Sequence, residues 1–548
     1  MQNKDLARKV FFVVTLLINA ILIAQIFGDL HGFFLYYFFN SDGLYLASIY
    51  KDVFIDQYGF KGWHLNASPN FIPEWPLYFL IRYITGDFRI TAFVYSLISF
   101  LILNVLTAWL LKVTFKRINY SYLALVNLGY AVFLEFYIVS GAFVTSSFLF
   151  FSGYHNGAFI MALICLILFG LYLKTGKNIY SVFLFISVVF GVVSDRLLIM
   201  YYVVPSLTAL FFTGNTLLRR NILISAVIGV AGAVAGMTIY NLIRSSDFFY
   251  IINLGYRESN FSEISSAFNN FVEEMVKFLE HGKFKRIMVI LVLIALPTGL
   301  FLSFNSVFGK KKYLTKDTIE RIMIVTFTSY IVVVMFTPIV NGLFYGTAHL
   351  RYNVSSLAVG VSFLVVIILL LTRNKAMWRN TVDILTGILI VLAIISIIRF
   401  ESKANTVKGL KDLFSLYPED VALIDSVASA HNLKYGVAHY WDAKRTTMFS
   451  KEDLRIYTVY GNIKPWFHVT NQNWYRHSDK GRYADPVFNF IVVNELEPRG
   501  EYFEKLTADA DTLINTNILI LKVPEFIFNQ NNEPQILEKE NKTNNYSP

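Results

Sequence analysis

Eleven stretches of the chain are apolar over the length of a bilayer core, and the polar positions between them collect at their ends. The predicted spans are residues 10–27, 90–111, 121–139, 158–173, 179–193, 197–212, 221–243, 287–304, 322–340, 354–372 and 382–398. With the N-terminus inside, five successive short loops carry the basic residues: Lys112, Lys116 and Arg117; Lys174 and Lys177; Arg219 and Arg220; Lys310, Lys311, Lys312 and Lys316; Arg373, Lys375 and Arg379. Positive charge is retained on the cytoplasmic side, so this placement sets the orientation. The loop 28–89, the segments 140–156 and 194–196, the loops 245–286 and 341–353, and everything after Arg399 then share the outer face, where chemistry is expected.

Three outer regions have patterns of their own. The first outer loop, about sixty residues at 28–89, is dense in aromatics and punctuated by Asp29, Asp42, Asp52, Asp56, Glu74 and Asp87. A loop of that length between spans is more often working surface than slack. Inside it, 42–56 has helical spacing through Leu44, Ile49, Val53 and Phe54, while Pro73 and Pro76 precede a helix at 77–84 too short to cross a bilayer. The loop 245–286 predicts an amphipathic helix at 265–281, with Phe268, Phe271, Val272, Met275 and Phe278 on one side. After Arg399 the sequence turns soluble in character. A helix at 421–433 and strands at 435–439, 454–459, 488–493 and 517–523 predict a small α+β domain over 400–528, and 529–548, rich in Asn, Glu and Lys, reads as a disordered tail.

Composition agrees: 55% of the 548 residues are hydrophobic and 16% charged, the balance of a polytopic α-helical membrane protein. The net charge of +10 does not point to nucleic acid, because the basic residues sit at the ends of apolar segments and not in a stripe on a soluble domain. Cys165, alone, excludes an intrachain disulfide and Cys-based metal binding. Lys4, Arg8 and Lys9 before an apolar run suit a signal peptide, but Phe27-Gly28-Asp29 is a poor cleavage site, so 10–27 is expected to be the first span. No P-loop, GxGxxG, HExxH or GxSxG motif occurs, and no metal-type Cys/His spacing.

The candidate chemistry is carboxylate and cation. Asp42, between Ser41 and Gly43, is either a general base near the interface or the cap of the helix that follows. Glu74, between two prolines beside Trp75, is the second carboxylate, with a loop carboxylate bonded to backbone amides as its structural alternative. Asp52 reads as a solvated charge, and Glu135, inside a span, is expected to pair with an arginine or stay protonated. Among outer cations, Arg351 in the run Tyr345 to Asn353 suits a phosphate, through the paired hydrogen bonds of its guanidinium. Arg196 is either a phosphate ligand or the ion-pair partner of Asp195; Arg82, His349, Lys61 and Tyr352 complete the polar rim, and His155 reads as a satisfied rim histidine. The tail runs Tyr440-Trp441-Asp442, Pro465-Trp466-Phe467-His468 and Asn473-Trp474-Tyr475 suit sugar rings or a domain core.

The layout resembles the GT-C superfamily of membrane glycosyltransferases, which use polyprenyl-phosphate-linked sugars. It has a first span, then a long outer loop with Asn40-Ser41-Asp42-Gly43 soon after it, an interfacial helical segment, many spans and an exported C-terminal domain. The segments from Pro76 to Tyr83 and from His349 to Tyr352 are also similar in kind. The resemblance implies a GT-C-like fold of about eleven transmembrane helices in a bacterial inner membrane, with the N-terminus cytoplasmic and the C-terminal domain periplasmic. It also implies inverting transfer from the lipid-phosphate donor to an envelope glycan, lipid or protein. Asp42 or Glu74 would be the base, with Arg351, His349, Arg82 and Arg196 on the donor phosphate. Asp42 stands alone where many members carry a paired acidic motif, which leaves a divalent metal open; no other cofactor is expected. A flippase or transporter of lipid-linked saccharide, or a non-catalytic envelope assembly protein, are the competing classes.

Overall fold

The computed structural model describes residues 2–30, 32–140, 147–211, 216–246, 248–252, 259–280, 290, 294, 296–302, 304, 317–372, 376–402, 404–476, 486–494 and 496–537. Most of the predicted span 287–304 lies outside these residues, as do Arg257, Lys310, Lys311, Lys312, Lys316, Arg373 and Lys375. The described chain is mostly helical. In order the helices are α1 (Gln2–Gly28), α2 (Gly32–Phe38), α3 (Tyr45–Tyr50), α4 (Glu74–Thr85), α5 (Phe88–Thr114), α6 (Tyr120–Ser140), α7 (Asn156–Thr175), α8 (Asn178–Ser194), α9 (Val204–Phe211), α10 (Thr216–Ser245), α11 (Phe261–Glu280), α12 (Thr318–Val340), α13 (Val354–Thr372), α14 (Ala376–Glu401), α15 (Thr406–Phe414), α16 (Glu419–Ala430), α17 (Tyr440–Phe449) and α18 (Glu501–Thr507). Seven of them, α1, α5, α7, α10, α12, α13 and α14, are long and apolar enough to cross a membrane, which marks a multi-pass membrane protein.

The chain divides into two compact units. The first, residues 1–30, 68–242 and 254–414, holds the long helices. Inside it α1, α5 and α6 are joined by a buried amide network: Asn19 Nδ2 donates to Asn104 Oδ1 at 2.9 Å, and Asn127 Nδ2 to Thr15 Oγ1 at 3.0 Å. Such side chains bind apolar helices together because nothing else there can satisfy them. Helix ends follow local chemistry. Asp87 caps α5 by accepting from the Arg89 and Ile90 amides, and Gly86, at φ 69°, closes α4 with a hydrogen bond to the Arg82 carbonyl.

The second unit gathers residues 31–67, 243–253 and 415–548, so it takes in half of the first outer loop and leaves residues 400–414 with the helices. Its smaller sheet is built from all three segments. Strand β1 (Trp63–Leu65) pairs in parallel with β2 (Phe249–Ile251) and antiparallel with β5 (Thr470–Asn471). The larger sheet contains β3 (Tyr435–Ala438), β4 (Arg455–Thr458), β6 (Phe488–Val492), β7 (Asp511–Asn515), β8 (Leu519–Phe528) and β9 (Pro534–Ile536), in the order β4-β3-β6-β8-β7 with β9 also on β8. Ile424 and Ala428 of α16 pack with Ala438, Ile456, Phe490, Val492 and Ile520 into its core. The expected disordered tail starts later than Asn529, because residues 529–537 turn back and β9 hydrogen-bonds along β8; residues 538–548 lie outside the described residues.

Candidate functional site

In the second unit, the helical reading of 42–56 holds as α3 and the π-turn Lys51–Ile55, but Asp42 is not its cap. No side chain caps α3; Asn40 holds the turn before it, its Oδ1 accepting from the Asp42 and Gly43 amides at 3.1 and 2.9 Å. The Asp42 carboxylate is left for another partner: the Tyr440 hydroxyl donates to Oδ1 at 2.5 Å. Helix α17 brings that tyrosine, and one turn later Lys444, whose Nζ donates to the Ser41 carbonyl at 3.3 Å and lies 4.9 Å from the Tyr440 ring centre. Ser41 Oγ in turn donates to the Tyr440 carbonyl. The His468 ring stands 5.1 Å from Tyr440. Burial pushes the Lys444 ammonium down to about 7 against the pull of Asp42, and burial plus the Lys444 charge push His468 down to about 4. An aromatic rim adjoins them: Trp466 is 5.3 Å from Tyr440 and stacks on the exposed Tyr460 at 4.9 Å and 17°, with Trp441 4.9 Å from Tyr440.

Asp52 corrects the expectation of a solvated charge. It is 2% exposed, and accepts from Trp474 Nε1 at 2.6 Å and Asn471 Nδ2 at 2.7 Å; burial pushes it up to about 7 against both hydrogen bonds. One turn on, Asp56 receives Arg455 Nη1 at 2.5 Å and Lys51 Nζ at 3.0 Å on each oxygen. These groups, with Lys444, line a cleft of about 340 Å³, solvent at its mouth included. Their ionic partners are already in place, so we read them as the lock between loop and domain within this unit.

In the first unit, Glu74 takes the structural alternative. It is fully buried, with Oε2 accepting from the Gly153 amide at 2.6 Å and Oε1 from the Gly157 amide at 3.0 Å. Burial pushes it up to about 7 against those two bonds. Gly157 has no room for a side chain, since a Cβ there would stand 2.8 Å from Oε1. The carboxylate thus seals the start of α7. His155, two residues earlier and in the left-handed region at φ 68°, is brought 2.5 Å from Asp195 Oδ2 through Nδ1. Asp195 follows α8, and its Oδ1 accepts from Ser68 Oγ and the Leu197 amide, each at 3.0 Å. Burial alone would raise its pKa; the His155 charge and hydrogen bond, with the other donors, hold it below the usual carboxylate range.

Arg351 stands in the 3₁₀ turn Thr347–Tyr352, and a break in α12 anchors that turn. Pro338 has no N–H for the Val334 carbonyl, and Asn353 Nδ2 donates there at 3.2 Å and to the Met335 carbonyl at 2.8 Å. Arg351 Nη2 donates to the Tyr352 hydroxyl at 2.9 Å. The Tyr352 ring lies 5.3 Å from His155 and 6.3 Å from His349. Burial and the Arg351 charge lower the His349 pKa, keeping it neutral near pH 7. Glu74, His155, His349, Arg351 and Tyr352 therefore fall in one neighbourhood of this unit. Arg82 is buried on α4, and Arg196 rests over the Tyr240 ring at 4.9 Å while Asp195 goes to His155. Glu135, expected to pair with an arginine or stay protonated, accepts from the Ser396 hydroxyl at 3.0 Å. In the second unit Lys61 is exposed, its carbonyl accepting from Asn473.

Asp42 and Arg351 belong to different units. Sequence reasoning singled out both but passed over Tyr440, Lys444, His468 and Asp195 as site residues. The run from Tyr440 to Arg445, aromatic and charged together, was the available signal for the first two. Among the described residues no group of three or more His, Cys, Asp or Glu side chains is arranged to hold a metal ion. No protein-family model matches the chain, and no curated protein matches it at a significant level.

Proposed function

We propose that this protein is a membrane glycosyltransferase of the GT-C kind, moving a sugar from a polyprenyl-phosphate donor to an envelope glycan, lipid or protein. In this reading Asp42 takes the proton of the attacking hydroxyl, and the anomeric carbon inverts as the lipid phosphate leaves. In the first unit, Arg351 offers the paired hydrogen bonds that a lipid phosphate takes, with His349 beside it. The observation that carries the reading is the state of Asp42. Taking no part in capping α3 and oriented by Tyr440, it lies beside a rim of Trp466, Trp441 and Tyr460 with the flat faces that sugar rings pack on. Glu74, with both oxygens on backbone amides, is assigned no part in the chemistry.

A count of crossings supports eleven spans. Strands β1, β2 and β5 share one sheet, so their segments share one face of the bilayer and an even number of crossings separates each from the next. Three of the seven long helices lie between β1 and β2, and three between β2 and β5. Each interval therefore needs an odd number of further crossings. Helix α6 and the shorter apolar helices Asn178–Ser194 and Ile199–Phe211 supply the first; for the second the sequence offers the apolar stretch 287–304, most of which lies outside the described residues. With α1, these make eleven. In this reading the N-terminus is cytoplasmic and the second unit periplasmic, which the basic residues at the ends of the apolar segments support.

The test is to incubate the purified protein with polyprenyl-phosphate-linked hexoses and pentoses and measure release of the lipid phosphate. Release that depends on acceptor and is lost in Asp42→Asn is expected. Movement of intact lipid-linked sugar across proteoliposomes without release would favour the flippase class instead.

A further inference from the structure

His155 is built as a working imidazole, and the reaction proposed above leaves a role for one. Asp195 takes its Nδ1 at 2.5 Å, and Asp195 is itself held by Ser68 Oγ and the Leu197 amide at 3.0 Å. The carboxylate therefore fixes the ring; in its protonated form the imidazole donates to Asp195 through Nδ1 and carries its other proton on Nε2, turned away from the pair. Among the described residues no protein group takes Nε2, and the side chain keeps 17% of its surface exposed. The groups that face the dyad are few. The turn Thr347–Tyr352 brings the Tyr352 ring, the Arg351 guanidinium and neutral His349; α4 brings Glu74; the π-turn Ile199–Val203 brings Tyr201, whose hydroxyl donates to the Tyr352 carbonyl at 3.4 Å. A backbone at φ 68° in a non-glycine residue is strained, and such strain persists where the surroundings require that side-chain position.

We propose that His155, held by Asp195, is the proton donor to the departing phosphate of the polyprenyl-phosphate donor, a role that rests on the transferase reading. In the step, the acceptor oxygen bonds to the anomeric carbon and its proton passes to a general base. The bond from the anomeric carbon to the phosphate oxygen breaks, its electron pair staying on that oxygen. The Nε2 proton of His155 passes to the phosphate, giving polyprenyl hydrogen phosphate and neutral imidazole. Proton exchange of the base and the imidazole with solvent restores both groups. Arg351 contributes fixed positive charge and no proton, since a guanidinium does not titrate in this range.

The experiment uses the full chain in nanodiscs and polyprenyl monophosphate, the product lipid, as probe. Histidine-labelled protein gives the His155 titration by NMR, assigned by its loss in His155→Gln. Reading the imidazole itself separates it from Glu74, which titrates near 7. Polyprenyl monophosphate should raise the His155 midpoint by about a unit or more, polyprenol should not, and Asp195→Asn should abolish the shift. In turnover with polyprenyl-phosphate sugars, His155→Gln should lower kcat about 100-fold with KM within a few-fold, and thermal stability should be retained. Binding of the monophosphate with no movement of the His155 titration, or normal kcat in a folded His155→Gln protein, overturns the proton-donor role and leaves the transferase reading standing. Absence of both lipid binding and turnover in the wild type overturns the reading itself, and this inference with it.

Discussion

The Tyr440 hydroxyl hydrogen-bonds Asp42 Oδ1 at 2.5 Å, joining side chains 398 positions apart in the chain. The phenol is almost wholly buried, and burial together with the carboxylate raises its pKa well above the ordinary tyrosine value, so it stays a donor at every working pH. A donor that cannot ionise fixes one oxygen of Asp42 and, in the proposed reaction, leaves the other for the substrate proton.

Removing the base and removing its orienting donor should therefore differ in size. Asp42→Asn is expected to reduce transfer about 10²- to 10⁴-fold. Tyr440→Phe, which loses one hydrogen bond to a charged group worth about 1.5–3 kcal/mol, should cost roughly ten- to a hundredfold in kcat. Single-turnover rates on a common polyprenyl-phosphate sugar compare them directly, and equal losses would contradict the division of roles.

Glu74 predicts the opposite behaviour. In Glu74→Gln the amide nitrogen replaces one acceptor oxygen and faces a backbone N–H, leaving a buried donor unsatisfied at a cost of about 1–3 kcal/mol. Thermal unfolding should shift down while turnover per folded molecule is kept. A stable but inactive variant would restore Glu74 to the chemistry.

The ion cluster at Asp56 should be worth more broken than its members suggest. Arg455 and Asp56 are 4% and 2% exposed, so Asp56→Ala leaves two cations near a buried site without their carboxylate, a loss of about 3–5 kcal/mol. Limited proteolysis of the second unit should quicken, and its rate in Asp56→Ala against the wild type measures the effect.

His64 sets an acid limit on the same unit. Its ring is stacked between Tyr250 at 4.6 Å and Phe467 at 4.7 Å, and burial pushes its pKa down to about 4 from the ordinary 6.5. The unfolded chain then takes up a proton that the folded one refuses, so stability is lost as pH falls from 6.5 towards 4. His64→Phe keeps the stack and removes the proton. Its unfolding free energy should fall less than the wild type's across that window.

Sidedness can be read with cysteine labelling, because the native Cys165 is buried. Lys61→Cys and Tyr460→Cys, both at exposed positions of one unit, should react from the same face of sealed vesicles, and Lys116→Cys, at a residue 72% exposed, from the other. Labelling of all three from one side would reject the count of eleven crossings.

Much of this architecture was legible in the sequence because it depends on neighbours in the chain. Residues 354–372 were predicted as a span and form α13 with those limits, since hydropathy over some twenty residues is a local property. The amphipathic spacing at 265–281 likewise became α11, and the four predicted tail strands appear as β3, β4, β6 and β8. What depended on residues far apart was not legible. Three-residue strands such as β1 and β2 are too short for alternation to announce, and they exist because each completes the other's ladder. Asp52 became buried because Trp474 and Asn471, over four hundred residues later, satisfy it; Asp195 left its neighbour Arg196 for His155; and Asp42, next to a helix it does not cap, went to Tyr440. A side chain's partner is set by what folding brings within about 3 Å of it, and only the tertiary structure decides that.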